Sequence, residues 1–224
     1  MNYTFQWGQV TGHIPYLAGG AMIALQLAFF GFAIGMVVGA LCAATKAYGP
    51  KAARRLVDAY VSFFTNTPLL VQIFFLYYGL PDAGIFLDSY QAVLVGISLN
   101  AGAYLTEIQR AGFMSVRRTE LDAAATLGFS RLQMIRYVVV PHLLKTLYAP
   151  LANHYIVMVL GTSIAAIFGV EELTGRALNV NAINFRSFEI FSIAAGMYIT
   201  LTIAASASLY WFGLYAFRIK AKVF

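Results

Sequence analysis

The sequence predicts an all-α integral membrane protein, and three observations predict it. Of its 224 residues, 60% are hydrophobic and only 11% charged, against about 25% charged in soluble domains. Mean hydropathy is +0.73. The apolar residues gather into stretches long enough to cross a bilayer core, which takes about 20 residues of helix. The basic residues alternate with these stretches so as to collect on one side.

Five spans are expected, in one transmembrane domain covering 1–224. The first, 20–44, carries no charge. The second, 56–80, has Asp58 near its start and Pro68 inside. The third, 92–107, is short, with Glu107 and Arg110 at its end. The fourth, 143–170, contains Pro150. The fifth, 190–217, carries a small-residue patch from Ala204 to Ser208. Proline is tolerated inside such helices where neighbouring groups satisfy the freed backbone.

Lys46, Lys51, Arg54 and Arg55 lie between spans one and two. Arg110, Arg117, Arg118, Arg131, Arg136 and Lys145 lie between three and four, and Arg218, Lys220 and Lys222 follow span five. Thirteen of the fifteen basic residues thus share a side, and only Arg176 and Arg186 fall opposite, with Asp82, Asp88, Glu171 and Glu172. The positive-inside rule makes the rich side cytoplasmic, with the N-terminus outside and the C-terminus inside. The net charge of +6 is therefore a topology signal, and nucleic-acid binding is not expected. The first nine residues carry no Lys or Arg, unlike the basic start of a signal peptide. Cys42 is alone and His13, His142 and His154 are scattered, so neither a disulfide framework nor a metal site is expected. No GxxxxGK[ST] sequence occurs. Catalytic residues and cofactors are not expected in this chain, and any nucleotide hydrolysis belongs to another.

Gly31, Gly35 and Gly39 form a small-residue face at four-residue spacing. Packing within one subunit and a seam between subunits are both open, the first being the simpler. Five helices make a thin wall for a solute pathway, which implies two or more chains. No inverted repeat is visible, which weakens a single-chain secondary transporter.

The longest polar break is 117–141. It predicts two short helices joined at Gly128. Glu120 and Asp122 suit the N-terminal dipole of the first, and Ala123 and Ala124 present little bulk to a partner. Leu132, Ile135 and Val139 repeat at helical spacing in the second, which Pro141 ends as it starts span four. From the residues alone, a helix lying on lipid headgroups and a lever docking a soluble partner are equally open.

This segment resembles the cytoplasmic EAA loop of ABC importer permeases, with Asp122-Ala123-Ala124, Gly128 and Pro141 at the family's positions. Thr67-Pro68-Leu69-Leu70-Val71-Gln72 with Tyr77-Tyr78-Gly79-Leu80-Pro81 is similar to the second span of the polar amino-acid branch. Ala103-Tyr104, Glu107-Ile108 and Arg110 are similar to its third span. Pro150-Leu151, Asn153, Thr162-Ser163 and Gly169-Val170-Glu171-Glu172-Leu173 are similar to its fourth. The resemblance runs from about Gly20 to the end of span five. It implies the type I ABC importer transmembrane fold in a bacterial inner membrane, with short cytoplasmic coupling helices between spans three and four. It implies a second permease subunit, identical or paralogous, and an ATPase dimer that binds ATP and Mg and docks on Glu120, Asp122, Ala123, Ala124, Gly128 and Pro141. It further implies an external solute-binding protein that delivers an amino acid.

Polar groups inside a membrane are costly and mark function or pairing. Thr67, Gln72, Asn100, Tyr104, Glu107, Thr162 and Ser163 are the candidate solute contacts, with interhelical pairing as the bland alternative for each. Asn100, Tyr104 and Glu107 share one helix face, and Glu107 can also pair with Arg110 at i+3. An ion-coupled secondary transporter using Glu107 as a proton relay is the alternative function. Where many relatives have Arg before the Thr-Pro segment and Lys-Asp before Thr-Ser, this chain has Thr65 and Leu160-Gly161. Either no dedicated cationic site exists here, or the partner permease holds the site. Asp122 replaces the usual Glu, keeping the charge and shortening its reach.

Overall fold

In the computed structural model, which describes residues 4–217, the chain is helical throughout, with no strand among the described residues. The helices are α1 (Gly8–Thr11), α2 (Ile14–Tyr48), α3 (Lys51–Asn66), α4 (Leu69–Phe74), α5 (Ser89–Ser115), α6 (Arg118–Thr126), α7 (Arg131–Met134), α8 (Val140–Gly161), α9 (Leu173–Asn184) and α10 (Ser187–Phe217). Two wide π turns, Phe75–Gly79 and Ile135–Val139, and two tight 3-10 segments, Leu80–Ala83 and Thr162–Phe168, complete it. The basic residues after Phe217, counted above for orientation, lie outside the described residues.

Among the described residues, three helical runs are long and apolar enough to cross a membrane: Ile14–Tyr48, Arg131–Phe168 and Ser187–Ala216. The expected second span qualifies only as a broken pair, α3 with the helical segment after it. The break follows from Pro68, which disfavours helical backbone at the residue before it. Both Thr67 (φ −118°, ψ 143°) and Pro68 (φ −63°, ψ 135°) are extended. The expected third span is the 27-residue helix α5. It falls outside the apolar set because Asn100, Thr106, Glu107 and Gln109 interrupt its C-terminal half.

The sequence expectation for Pro141 needs correction. Pro141 does not end a helix; it is the second residue of α8, and α7, the π turn and α8 run on as one helix from Arg131 to Phe168. Proline lacks a donor and its ring crowds the preceding turn. The wide turn at Ile135–Val139 relaxes the helix just before it. The second short helix is thus the lower end of span four.

The fold divides into two compact units. The first gathers the chain up to Ala33, Pro68–Ser98 and Tyr155–Ala205. Its core packs Val10, Leu17 and Ala21 against Leu173, Ala177 and Val180 of α9 and Ile190 and Ala194 of α10. Helix α9, between the last two spans, has no counterpart in the sequence expectations. The second unit gathers Ile34–Thr67, Leu99–His154 and the described residues from Ser206 on.

The glycine face of α2 packs within the chain. A Cβ on Gly31 would stand 2.7 Å from Ile97, one on Gly35 2.8 Å from Ala101, and one on Gly39 2.9 Å from Leu105. The three contacted residues are themselves four apart on α5, so the glycine ridge of α2 seats a ridge of Ile97, Ala101 and Leu105. This supports the packing reading of the glycines over a seam between subunits.

Candidate functional site

The second unit contains the 117–141 segment, and local sequence dictates its shape. Arg117 is extended (φ −73°, ψ 135°) and α6 begins after it, with Glu120 in its first turn. At the other end the Gly128 N–H donates to the Ala125 carbonyl (2.9 Å) and the Phe129 N–H to the Ala124 carbonyl (3.1 Å). This paired pattern is the Schellman stop, which requires a left-handed residue; Gly128 has φ +77°. Nothing lies within 4 Å of the place a Cβ would occupy, so glycine is needed there for backbone conformation and not for space. Ser130 then opens the next helix with a capping box: the Gln133 N–H donates to Ser130 Oγ (3.3 Å) and the Ser130 N–H to Gln133 Oε1 (2.8 Å).

Within α6, Ala124 is buried while Asp122 and Ala123 are exposed. Leu127 and Leu132 stand 74% and 75% exposed, and Ile135 and Tyr137 are exposed beside them. His142, next to Pro141, ties the segment down. Its Nε2 lies 3.0 Å from Ser115 Oγ at the end of α5, and its Nδ1 lies 3.8 Å from the Glu120 carboxylate. The expected coupling residues Glu120, Asp122, Ala123, Ala124, Gly128 and Pro141 therefore lie along one helix–turn–helix, with an apolar surface of Leu127, Leu132 and Ile135 uncovered.

The candidate solute residues fall in both units. In the second, the carbonyls at the end of α3 are taken up by side chains. Asn66 Nδ2 donates to Ser62 O (2.8 Å), Thr67 Oγ1 to Phe63 O (2.7 Å) and Asn100 Nδ2 to Phe64 O (3.1 Å). A helix end leaves its last carbonyls without intrahelical partners, and Thr67 and Asn100 each satisfy one. Tyr104 is exposed, its ring 5.8 Å from that of His154. Glu107 is held by two cations: Oε1 accepts from Lys46 (2.7 Å), and Oε2 accepts from Arg110 Nε (2.9 Å) and a terminal guanidinium nitrogen (2.7 Å). Lys46 also pairs with Asp58 at 2.7 Å. In the first unit Gln72 and Thr162 are buried. Thr162 and Ser163 each donate to the carbonyl three residues back, Val159 (2.7 Å) and Leu160 (2.9 Å).

Sequence reading missed two polar clusters. One is the charge-balanced quartet Lys46–Asp58–Glu107–Arg110 from three helices: the Glu107–Arg110 pair within it was expected, but its extension to Lys46 and Asp58 was not. The other is Glu172, fully buried in the first unit. Its carboxylate accepts from the Gly175 N–H (2.9 Å), capping α9, and from Tyr198 Oη (2.7 Å). Burial raises its carboxyl above the usual range, while the hydrogen bonds from Tyr198 and the backbone pull the other way. Nearby, Arg176 Nη1 donates to the Tyr16 carbonyl (2.6 Å) with the guanidinium over the Tyr16 ring. The run Glu171-Glu172 was the available signal, since acids are favoured at the N-terminal dipole of a helix.

Residues 35–214 match the family of binding-protein-dependent transport system inner membrane components. The chain belongs to that family. Among its relatives is the glutamine transport system permease protein GlnP of Escherichia coli strain K12, 34% identical over 204 residues, which span 90% of this chain and 93% of that protein. Another is the L-cystine transport system permease protein TcyB of Bacillus subtilis strain 168, 31% identical over 181 residues, or 81% of this chain and 77% of that protein. A crystal structure of an amino acid ABC transporter with histidines superposes with a TM-score of 0.86 at 30% identity, covering 94% of this chain and 98% of that one. The inward-facing MetNI methionine ABC transporter superposes at 0.62 with 20% identity, a likeness of fold alone. This inner-membrane component accordingly has the type I permease fold of ABC importers and resides in the inner membrane.

Proposed function

We propose that this chain forms half of the translocation pathway of an ATP-driven amino-acid importer and couples to its ATPase through 117–141. The uncovered helix–turn–helix carries the reading: the Schellman stop and capping box set a rigid, exposed α6 on top of span four, as a lever needs. Its relatives are named for glutamine and cystine transport, which supports an amino-acid substrate. The N-terminus lies outside and the 117–141 segment inside. A second permease completes the pathway, an ATPase pair beneath it binds ATP and Mg, and an external binding protein delivers the substrate. Closure of the ATPase pair draws the two levers together and turns the pathway outward. This chain contributes pathway and lever and no catalysis.

Thr67, Gln72, Asn100, Tyr104, Glu107, Thr162 and Ser163 remain the proposed solute contacts, Tyr104 being the most open of them. A proton-relay role for Glu107 in an ion-coupled transporter has less support, because Lys46 and Arg110 both hold that carboxylate. The test is purification from the native membrane. An ATPase and a second permease should come with the chain, and replacing Gly128 with Val should abolish uptake and substrate-stimulated ATP hydrolysis while insertion persists. Uptake by the purified chain alone in liposomes under a proton gradient would overturn the proposal.

A further inference from the structure

Helix α3 faces away from its own chain with polar residues. Its inward face is Val57, Tyr60, Val61 and Phe64; Tyr60 Oη donates to the Leu99 carbonyl of α5 (2.6 Å), and the Phe64 carbonyl accepts from Asn100 (3.1 Å). At about 100° per residue, Arg55, Ser62 and Asn66 fall within about 40° of one another, on the opposite side. All three are exposed, and the positions among them that complete this face are Ala59 and Asp58. The large apolar exposed side chains, Leu56 and Phe63, sit together on one flank, 73% and 57% exposed. Three surfaces are thus sorted around one helix: core, apolar flank and polar front.

A polar front cannot be turned to lipid without cost, because amide and hydroxyl groups there lose water. The apolar flank meets no such penalty. Helix α5 packs on the other side of α3, through Tyr60 and Asn100, so it does not cover this front. We infer that the front of α3 carrying Arg55, Ser62 and Asn66 is a wall of the aqueous translocation pathway, and that Leu56 and Phe63 mark where this helix meets lipid. The inference rests on the permease reading above and adds residues to it. The quartet built on Lys46 closes one end of this front, since Asp58 belongs to both. Ser62 and Asn66 offer a passing solute neutral hydrogen-bonding groups, and Arg55 and Asp58 one charge of each sign, so the wall suits a zwitterionic solute.

The test uses the assembled importer with Cys42, its lone cysteine, changed to Ser. Single cysteines are placed at Ser62, Asn66, Leu56 and Phe63 and exposed to a charged, membrane-impermeant methanethiosulfonate. Ser62→Cys and Asn66→Cys should react and lose uptake, and Leu56→Cys and Phe63→Cys should do neither. The reverse pattern overturns the wall. So does a disulfide-linked pair of permeases at Ser62→Cys or Asn66→Cys without reagent labelling, which would make the front a dry seam. Should a cysteine variant fail to insert, Ser62→Asp and Phe63→Asp give a second reading: the first should insert and the second should not, and equal insertion would count against the sorting. Labelling is read without ATP, so its failure is separable from a failure to copurify the ATPase.

Discussion

Single residues decide where this backbone can bend. At Gly128 the left-handed conformation is the whole requirement, because no neighbour would meet a side chain. Gly128→Ala should therefore cost about 1–2 kcal/mol, read as a lower unfolding midpoint in detergent, with coupling retained in part. Glu172 is the opposite case, fully enclosed and fully used. Glu172→Ala removes the cap of α9 and one of the two side-chain partners of the Tyr198 hydroxyl, leaving it Thr174 alone, and should cost about 1–3 kcal/mol; Glu172→Gln keeps an acceptor for Gly175 and should cost less. The two variants also differ with pH. Because burial raises the folded carboxyl's pKa above the unfolded value of 4.5, the wild type loses stability as pH rises through the folded value. Glu172→Gln has no such loss, so its deficit against wild type should shrink from pH 4 to pH 8 in thermal melts. A constant deficit would mean that Glu172 titrates alike in both states.

Helices meet at closer range than their sequences advertise. The α2 glycines touch α5 where a Cβ would stand within 3 Å of a neighbour. Gly→Ala in an exposed helix gains up to about 1 kcal/mol. At Gly35 and Gly39 the neighbours include α5 backbone, at 3.2 Å and 3.0 Å, and the helices would have to separate. Both Gly35→Ala and Gly39→Ala should therefore lower the unfolding midpoint, whereas Gly196→Ala, with nothing within 4 Å, should not. Much at this scale was legible beforehand. The long apolar runs of α2, α8 and α10, the glycine ridge, the start of α6 near Glu120 and the turn at Gly128 all follow from periodicity and turn chemistry. The continuity of α7 with α8 did not, because Pro141 reads as a stop unless a wide turn precedes it. Pro68 was read as a tolerated insertion, yet its effect on Thr67 broke the helix. The Lys46–Glu107 pair joins residues far apart in sequence, and no local pattern announces it. Thr67 and Asn100 stood out for being polar within apolar runs, but that they cap the end of α3 depends on where the helix breaks.

At the scale of the whole molecule, the fold of ABC importer permeases was foreseeable from the ordered motifs, while the sidedness assigned to it remains a proposal with a direct measurement. A cysteine at Ser130 should be labelled by an impermeant reagent only from the cytoplasmic side, and one at Asp82 or Ser187 only from outside. Labelling of Ser130→Cys from outside would invert the assignment and remove 117–141 from reach of an ATPase. In the working importer, Leu127, Leu132 and Ile135 should lose labelling as cysteines when the ATPase is bound.

The π turn at Ile135–Val139 carries one residue more than an α-helical turn would hold. The long helix from Arg131 to Phe168 therefore contains a spare position between its first turn and the span. Deleting a single residue there would let the turn rewind as ordinary α-helix, while the same deletion elsewhere in α8 would rotate everything beyond it by about 100°. The π turn thus works as a register buffer: it can take up the loss of one residue without rotating the 117–134 segment against span four, which no other turn of that helix can do.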